Sequence, residues 1–267
     1  MRDFTLKSYT KYIRAIQKSY PNIIRFDEFF CMDPKPDSFC LIRHDVDRRP
    51  KKALQMARLE NQMGIRATYY FRAKKHVFKP DIIQEISNLG HEVGYHYESL
   101  SDTRGNLPRA LEDFKFHLER FKKIVPVKTV SMHGRPLMPY DNRDLWRNAE
   151  NREHLVEEHS IYGEVYLDID YRGVAYLNDT GRNWTSDRAN IRDQTKYGIR
   201  LSFNSGAEAL NHLTTTPDPK MVFQVHPERW AGNMMDYHFS LCFDTLANLA
   251  KYVVKKAIMV KANVSAV

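Results

Sequence analysis

The apolar residues of the chain follow two spacings in turn, which predicts alternating helices and strands. Apolar residues three or four apart between Leu6 and Tyr20 predict an opening helix. After it, short β-branched or aromatic runs alternate with segments of helical periodicity. Strands are predicted at 39–44, 67–72, 92–96, 128–133, 164–169, 174–179 and 221–226, and helices at about 50–63, 80–90, 107–121, 205–213 and 237–261.

This alternation favours parallel strands joined by crossover helices, as in a barrel or a doubly wound sheet. No GxGxxG or Walker-type glycine loop follows a predicted strand, which weakens a nucleotide-binding doubly wound sheet. A length of 267 residues suits one α/β domain over 1–267, with the opening helix at 5–20. Strand and helix signals are sparse in the stretch 151–200, which we interpret as an insertion that carries a small antiparallel element.

Composition and charge bear on the compartment and the partners. The three cysteines (Cys31, Cys40 and Cys242) form no CxxC pair, which favours a reducing compartment. The opening residues show no signal-peptide pattern and no long apolar run occurs, so we expect a soluble cytoplasmic protein. A net charge of +8 favours anionic partners, or it solvates the surface. No nucleic-acid-binding motif accompanies the charge, so we expect no nucleic-acid partner.

Ionisable residues stand at the carboxyl ends of several predicted strands. They lie in the segments RHDVD, YHYE, SMHG, LNDTG and VHPERW. In a (β/α) barrel these strand ends converge on one face, where active sites are built. The pattern therefore predicts one polar site assembled from several strands.

The first of these segments carries two carboxylates. Asp45 and Asp47 are two residues apart, so in an extended chain they project to the same side, about 7 Å apart. One can ligate a metal while the other acts as a base on water. Asp47 could instead be a helix N-cap. His44 points to the other side and is expected to pack beneath the site.

The segment GHEVGYHYESL offers two histidines that cannot share an ion. His91 and His96 are five residues apart, so they face opposite sides of a strand and lie roughly 16 Å apart. His91 is at the amino end of the strand, away from the predicted site, and is expected to be structural. His96 is at the carboxyl end, where the site is predicted, and Glu98 lies on the same side as His96 if the chain stays extended.

Two further strand ends carry histidines. His133 is followed by a glycine and by Arg135, which can hold a carboxylate. His226 precedes Pro227 and suits a general acid, because an ordinary histidine pKa of about 6.5 lies near neutral pH. Histidine with aspartate and glutamate suits zinc or, less selectively, cobalt, nickel or manganese. A catalytic zinc ion keeps three protein ligands and one open position.

These segments resemble a known family. RHDVDRRPKKALQMARLENQMGIRATYYF followed by GHEVGYH is similar to the polysaccharide deacetylase superfamily, which comprises carbohydrate esterase family four and its relatives. The resemblance is best over 40–100, returns at SMHGRP and FQVHP, and is thin over 140–215. It implies a distorted (β/α) barrel with seven or fewer parallel strands. It also implies a divalent metal that activates water against an N-acetyl or similar amide.

The resemblance also implies roles for individual residues. It makes Asp45 the base, Asp47 and His96 metal ligands, Arg135 and Pro136 the segment that steadies the base, and His226 the group that assists the leaving amine.

The chain departs from the family at one metal ligand. The family places a second histidine four residues after the first, and here that position is Leu100, which cannot ligate a metal. Glu98 and His133 are the available substitutes, and Asp179 is a more distant one. We expect a substitute ligand rather than an inactive site, because the other acid–base residues are present.

Aromatic residues near the predicted site mouth are candidates for sugar contacts. Trp184 and Trp230 each follow a strand end and are expected either to stack on a sugar or to be buried in loop packing. Tyr140 and Asp179 complete the predicted substrate-binding set.

The predicted function is that of a zinc-dependent hydrolase. It would remove an acyl group, N-acetyl by expectation, from a saccharide or a phosphate-bearing saccharide precursor in surface polysaccharide or lipopolysaccharide synthesis. The alternatives are an amide hydrolase acting on a small non-sugar and a non-catalytic barrel that binds an anionic glycan. The basic segment 246–264 could form a helix at a membrane surface. Its stripe Leu246, Leu249, Val253, Ala257 and Val260 is instead expected to pack on the barrel, so membrane association is not expected. The oligomeric state stays open.

Overall fold

The computed structural model describes residues 2–135, 138–185 and 195–264, with side chains described as far as residue 249. One sheet organises the chain, and every strand pair in it is parallel. The strands are β1 (Ile23–Ile24), β2 (Phe39–Val46), β3 (Thr68–Phe71), β4 (Glu92–Tyr97), β5 (Thr129–Met132), β6 (Gly163–Glu164), β7 (Ala175–Asn178), β8 (Ile199–Arg200) and β9 (Lys220–Val225).

The sheet has the order β6-β5-β4-β3-β2-β9-β7-β8, and β1 pairs with β2 below the point where β3 begins to pair. It curls into a half-barrel, so the predicted α/β barrel architecture is confirmed. Over the described residues the sheet has nine strands, but β1, β6 and β8 have only two residues each. Six of the described strands are longer than two residues, so the expected limit of seven strands holds when the two-residue strands are left out.

All but the first and the last of the described α-helices lie on the connections between strands. Their apolar faces follow the predicted periodicity: α6 buries Ala110, Phe114, Leu118 and Phe121. The helices are α1 (Leu6–Ser19), α2 (Phe26–Cys31), α3 (Pro50–Gln62), α4 (Pro80–Asn88), α5 (Ser99–Asp102), α6 (Leu107–Lys122), α7 (Ala149–Glu157), α8 (Gly206–Thr215) and α9 (Met234–Val264). Two short 3₁₀ helices cover Asn142–Trp146 and Pro227–Arg229.

The stretch 151–200 differs from its prediction. Its strands β6, β7 and β8 run parallel within the main sheet, so the described part holds no separate antiparallel element. The strand predicted at 164–169 ends at Glu164. The Glu164 carboxylate accepts hydrogen bonds from the backbone N–H groups of Tyr166 and Leu167, at 2.8 and 3.0 Å, and so closes the chain into a turn.

Glu164 should make stability depend on pH. Burial raises the pKa of its carboxyl to about 7, above the ordinary value of about 4.3, although backbone N–H groups from Met132 and Tyr166 favour the charged form. A folded-state pKa above the unfolded one means that stability falls as pH rises toward 7. We expect the free energy of unfolding to fall by about 3 kcal/mol from this group alone. Urea unfolding of wild type and Glu164→Gln at about pH 5 and 8 measures the difference, and equal pH dependence in both would contradict it.

The two histidines expected to be structural are buried on the other side of the sheet. His44 lies 2.7 Å from the Glu60 carboxylate and stacks on Tyr69. His91 accepts a hydrogen bond from the Ala67 N–H and donates one to the Ala57 carbonyl. Both predicted placements are confirmed.

Two residues of the stripe predicted on α9 do not pack as expected, and the side chains of its other members, Val253, Ala257 and Val260, lie outside the described residues. Leu246 and Leu249, which were expected to lie against the barrel, are 68% and 60% exposed. The expectation was wrong for these residues because α9 meets the body of the protein along another stripe, where Ser240 and Asp244 are buried. No helix in the described part of the chain combines the length and the apolar character needed to cross a membrane.

Candidate metal centre and acid–base site

The carboxyl ends of the parallel strands bring the predicted polar residues to one edge of the sheet. Asp45 lies near the end of β2 and Asp47 directly follows that strand. His96 lies near the end of β4, and His133 directly follows β5. His226 directly follows β9. Since neighbouring strands are in parallel register, these side chains meet above the sheet.

Three of them form a candidate metal centre. The Oδ1 atom of Asp47 lies 3.5 Å from Nε2 of His96 and 3.4 Å from Nε2 of His133. The potential ligand atoms of these residues all lie within 4.8 Å of one another. Two imidazole nitrogens and one carboxylate oxygen make a donor set typical of a catalytic zinc site. His133, one of the two expected substitutes for a ligand at Leu100, belongs to this group.

Hydrogen bonds fix the orientation of both imidazole rings. Nδ1 of His96 donates to the carbonyl oxygen of Ser131 at 3.0 Å, and Nδ1 of His133 donates to the carboxylate of Glu98 at 3.0 Å. Each ring therefore turns its Nε2 toward Asp47, as metal-ligating histidines do. Oδ1 of Asp47 is buried and has no hydrogen-bond partner among the described residues. A bound cation would satisfy that atom, so the residues fit a divalent metal.

The two histidines of the candidate centre differ in charge. Burial lowers the pKa of His96 to about 4, which leaves its ring neutral at pH 7. Burial also acts to lower the pKa of His133, but the carboxylates of Asp47 and Glu98 outweigh it and raise that pKa to about 9. A metal must displace the His133 proton, so metal affinity should rise with pH.

Glu98, considered as a substitute ligand, lies behind His133 instead. Its oxygens accept hydrogen bonds from Arg72 at 2.8 and 3.0 Å as well as from His133. The ammonium group of Lys74 lies 3.2 Å away. With its oxygens engaged, Glu98 does not join the group of ligand atoms. The structure makes it a positioning residue for His133 and corrects its predicted role.

Glu98→Gln should weaken metal binding without removing a ligand. The neutral amide would accept a weaker hydrogen bond from His133 and hold the ring less firmly, so we expect zinc affinity to fall about 10–100-fold. Competition with a chromophoric chelator measures the dissociation constant. Asp102→Asn is the matched control, because Asp102 pairs with Lys74 and Arg135 but not with His133. Equal zinc affinity in the two variants would contradict this role.

Asp45, the predicted base, is held by an arginine of its own strand. The guanidinium of Arg43 donates from Nε to Oδ1 at 2.7 Å and from Nη2 to Oδ2 at 2.8 Å, and Gln224 donates to Oδ2 at 2.6 Å. Burial acts to raise the pKa of Asp45, but Arg43 outweighs it and the pKa is lowered. The carboxylate is therefore ionised at neutral pH and fixed in orientation.

Arg135 takes a different place from the one predicted. It pairs with Asp102 at 2.6 Å and lies 3.4 Å from Glu98, so it braces the carboxylate behind His133. Arg43 holds Asp45, as described above, and the structure shows no contact between Arg135 and that base among the described residues. The predicted Pro136 lies outside the described residues.

His226 and Asp179 form a buried pair on the other flank. Nδ1 of His226 lies 2.6 Å from Oδ1 of Asp179, which also accepts hydrogen bonds from Arg229 and, through Oδ2, from Trp230. Burial and Arg229 act to lower the pKa of His226, but the Asp179 carboxylate outweighs them and the pKa is raised. His226 is thus oriented and biased toward its protonated form.

The predicted substrate-binding residues are mostly buried. Trp230 is fully buried, and Trp184 is 3% exposed between Phe4 and Phe223. Neither indole presents a free face, so the expectation of sugar stacking is corrected in favour of core packing. Asp179 serves His226 rather than a substrate. Tyr140 is half-buried against Gly105, where a Cβ atom would meet its ring.

Sequence reasoning missed several residues of the site. Arg43 could have been found, since it shares one side of β2 with Asp45. Gln224 has the same relation to His226 on β9, but a lone glutamine gives no distinctive signal. Glu228 is also buried, and burial raises the pKa of its carboxyl to about 6.

Comparison with known proteins gives matches among solved structures alone. No family model matches the chain, and no curated protein matches it in sequence. A polysaccharide deacetylase from Bacillus cereus is similar over 82% of this chain and 89% of its own, with 15% identity and a TM-score of 0.42. The match to a family 4 carbohydrate esterase from Bacillus anthracis covers 92% of this chain and 86% of the esterase chain, with 12% identity and a TM-score of 0.40. A family 4 pseudoenzyme from the same organism covers 79% and 60%, with 8% identity and a TM-score of 0.40. At such values the function has to follow from the geometry of this chain's own site.

Proposed function

We propose that the chain is a metal-dependent hydrolase that removes an acyl group, in the first place N-acetyl, from an amino group of a saccharide. One observation carries the proposal: both site imidazoles are fixed with Nε2 toward the unpartnered oxygen of Asp47. A buried carboxylate, Asp45, lies beside this centre, with Oδ2 3.6 Å from Nε2 of His96. The polysaccharide deacetylase resemblance of RHDVD and GHEVGYH supports the same chemistry.

The metal would be held by Asp47, His96 and His133, and zinc is the ion that this donor set suits best. When bound, a divalent ion of this kind polarises an acyl carbonyl and makes water more acidic. With three protein ligands, the centre keeps room for water and substrate.

Asp45 is the group proposed to accept a proton from the attacking water. Its low pKa keeps it ionised, and Arg43 and Gln224 fix the direction of its carboxylate. General-base catalysis by a positioned group typically contributes about 10²–10⁴-fold.

His226 is the group proposed to donate a proton to the departing amine. Asp179 accepts a hydrogen bond from Nδ1, so Nε2 is the nitrogen that remains for the leaving group. The raised pKa keeps part of the population protonated near neutral pH. Asp45 and His226 thus divide the base and acid roles.

The finer identity of the substrate is also a proposal. The net charge of +8 supports a phosphate-bearing saccharide precursor, as an intermediate of surface polysaccharide or lipopolysaccharide synthesis would be. The absence of a CxxC pair supports a cytoplasmic place of action.

Acetate release tests the proposed function. The zinc-loaded protein is incubated with N-acetylated amino sugars, their sugar phosphates and a set of small cyclic amides, and acetate or ring opening is measured. We expect release of acetate from a saccharide, loss of this activity with a chelator and its return with zinc. Turnover of the cyclic amides alone would support the small-molecule amide hydrolase. Saccharide binding without turnover by the fully loaded protein would support the non-catalytic barrel.

A further inference from the structure

The exposed side of α9 carries a continuous row of large apolar side chains. Met235, Phe239, Phe243, Leu246 and Leu249 are 83%, 63%, 47%, 68% and 60% exposed. Their spacings of four, four, three and three residues place them on one stripe of the helix. We call this row the α9 face. Single exposed apolar residues are ordinary, but a row of five is typical of a surface that meets an apolar phase.

A groove continues the α9 face toward the edge of the sheet that carries the site. It has a volume of about 970 Å³ and lies between the first turns of α3 and α4 and the start of α9. Met235 and Phe239 of the α9 face form part of its wall, together with Pro50, Pro80 and Ile82. An apolar chain could therefore pass from the helix surface into the groove.

The polar part of the groove is mainly cationic. Its basic lining residues are Arg49, Lys51, Lys52, Lys79 and His76, and its acidic ones are Asp81 and Asp236. Asp236 is neutralised by Arg49 and Lys52, each at 2.7 Å. Lys51 and Lys79 are exposed, and neither makes an ion pair with any residue in the described ranges. The groove thus offers unpaired cations next to an apolar wall.

The sequence of α9 adds positive charge beyond the described side chains. Asp244 is the last acidic residue of the given sequence, whereas four lysines follow it, at 251, 255, 256 and 261. Two copies of this segment would repel one another, so the charge disfavours pairing with a second chain. An anionic surface is complementary to this charge, because lysines near a membrane are attracted to anionic lipid headgroups.

We propose that the α9 face and its groove bind the surface of an anionic phospholipid bilayer. The helix lies in the interface with the apolar row among the acyl chains, and Lys51 and Lys79 of the groove contact lipid phosphates. Arg48 and Asp244 pair at 2.6 Å and join α9 to the segment that directly follows Asp47. The bound helix therefore holds the candidate metal centre close to the lipid headgroups. The surface is separate from the metal ligands, so the proposal stands independently of the hydrolytic function.

Vesicle sedimentation tests this inference on the whole chain. Wild-type protein is mixed with vesicles of phosphatidylcholine alone or with about one third phosphatidylglycerol. We expect binding to the anionic vesicles that weakens with salt. The double variant Phe239→Ser/Leu246→Ser should lower the partition coefficient at least tenfold, since each residue loses its apolar burial in the interface. Phe116→Ser is the matched control, because Phe116 is 63% exposed on α6, away from the α9 face.

A second pair of variants tests the charge. Lys51→Glu/Lys79→Glu should weaken anionic binding several-fold, whereas Lys115→Glu/Lys123→Glu, two exposed lysines on and after α6, should weaken it less. Equal binding to neutral and anionic vesicles overturns the proposal. So does binding that the serine substitutions leave unchanged but inorganic phosphate abolishes, which would mean a phosphate site alone. A stable dimer that Phe239→Ser/Leu246→Ser makes monomeric overturns it as well, since a second copy would then cover the face.

Discussion

His133→Ala is expected to lower zinc affinity by more than about a hundredfold, a larger loss than the 10–100-fold typical of residues behind a ligand. The substitution removes one of three ligand atoms, and Asp47 and His96 alone would leave a weak two-ligand site. Isothermal titration calorimetry or chelator competition gives the dissociation constant. Circular dichroism shows that the variant is folded.

Leu100→Ala is the informative control for this prediction. Leu100 stands four residues after His96, is 6% exposed and carries no ligand atom. Its truncation should cost stability, about 2–5 kcal/mol for a buried leucine, but leave zinc affinity unchanged. Unchanged zinc affinity in His133→Ala would contradict the assignment of His133 as the third ligand.

His226→Asn is expected to lower kcat by about 10²–10⁴-fold while zinc affinity stays the same. His226 is not among the ligand atoms, and in the variant Asp179 keeps its hydrogen bonds from Arg229 and Trp230. The fold should therefore survive and only proton donation should be lost. Steady-state acetate release and zinc titration on the same preparation separate the two effects.

The pH profile gives a second test of His226. Its pKa is raised by Asp179, so the acid is present at low pH and lost as pH rises through a value above about 6.5. The wild-type kcat should fall on that alkaline side, and the fall should be absent from the residual activity of His226→Asn. His212→Asn is the control. His212 is a half-buried residue of α8 outside the site, and it also pairs with an aspartate, Asp218, at 3.0 Å. An alkaline fall that persists in His226→Asn would assign the acid elsewhere.

The fold could be predicted from the sequence because local pattern and chain order determine most of it. Strand and helix periodicities alternate, and the strand ends of a parallel sheet meet at one edge. The sequence therefore predicts that Asp45, Asp47, His96, His133 and His226 lie together. The two-residue period of a strand predicts that His44 and His91 face the side of the sheet away from Asp45 and His96. The turn at Glu164 could not be predicted, since it depends on the hydrogen bonds of one buried carboxylate.

Which residues of the site are candidate ligands and which support them depends on distances between side chains. The spacing of the residues along the sequence does not give these distances. Glu98 and His133 were equal candidates in the sequence, and the contacts with Arg72 decide that Glu98 stands behind the histidine. The arginine on Asp45 comes from the same strand rather than from the predicted segment, because Arg43 is two residues away and fully buried. The burial of Trp184 and Trp230 follows from aromatic neighbours distant in sequence.

The measurement that most directly tests the metal centre is native mass spectrometry of the zinc-reconstituted protein, with wild type and Asp47→Ala side by side. We expect one zinc ion per wild-type chain and none in the variant, since Oδ1 of Asp47 lies 3.5 and 3.4 Å from the Nε2 atoms of the two imidazoles. A folded wild-type protein that takes up no zinc, cobalt or manganese would contradict it. So would zinc that remains at one per chain in Asp47→Ala.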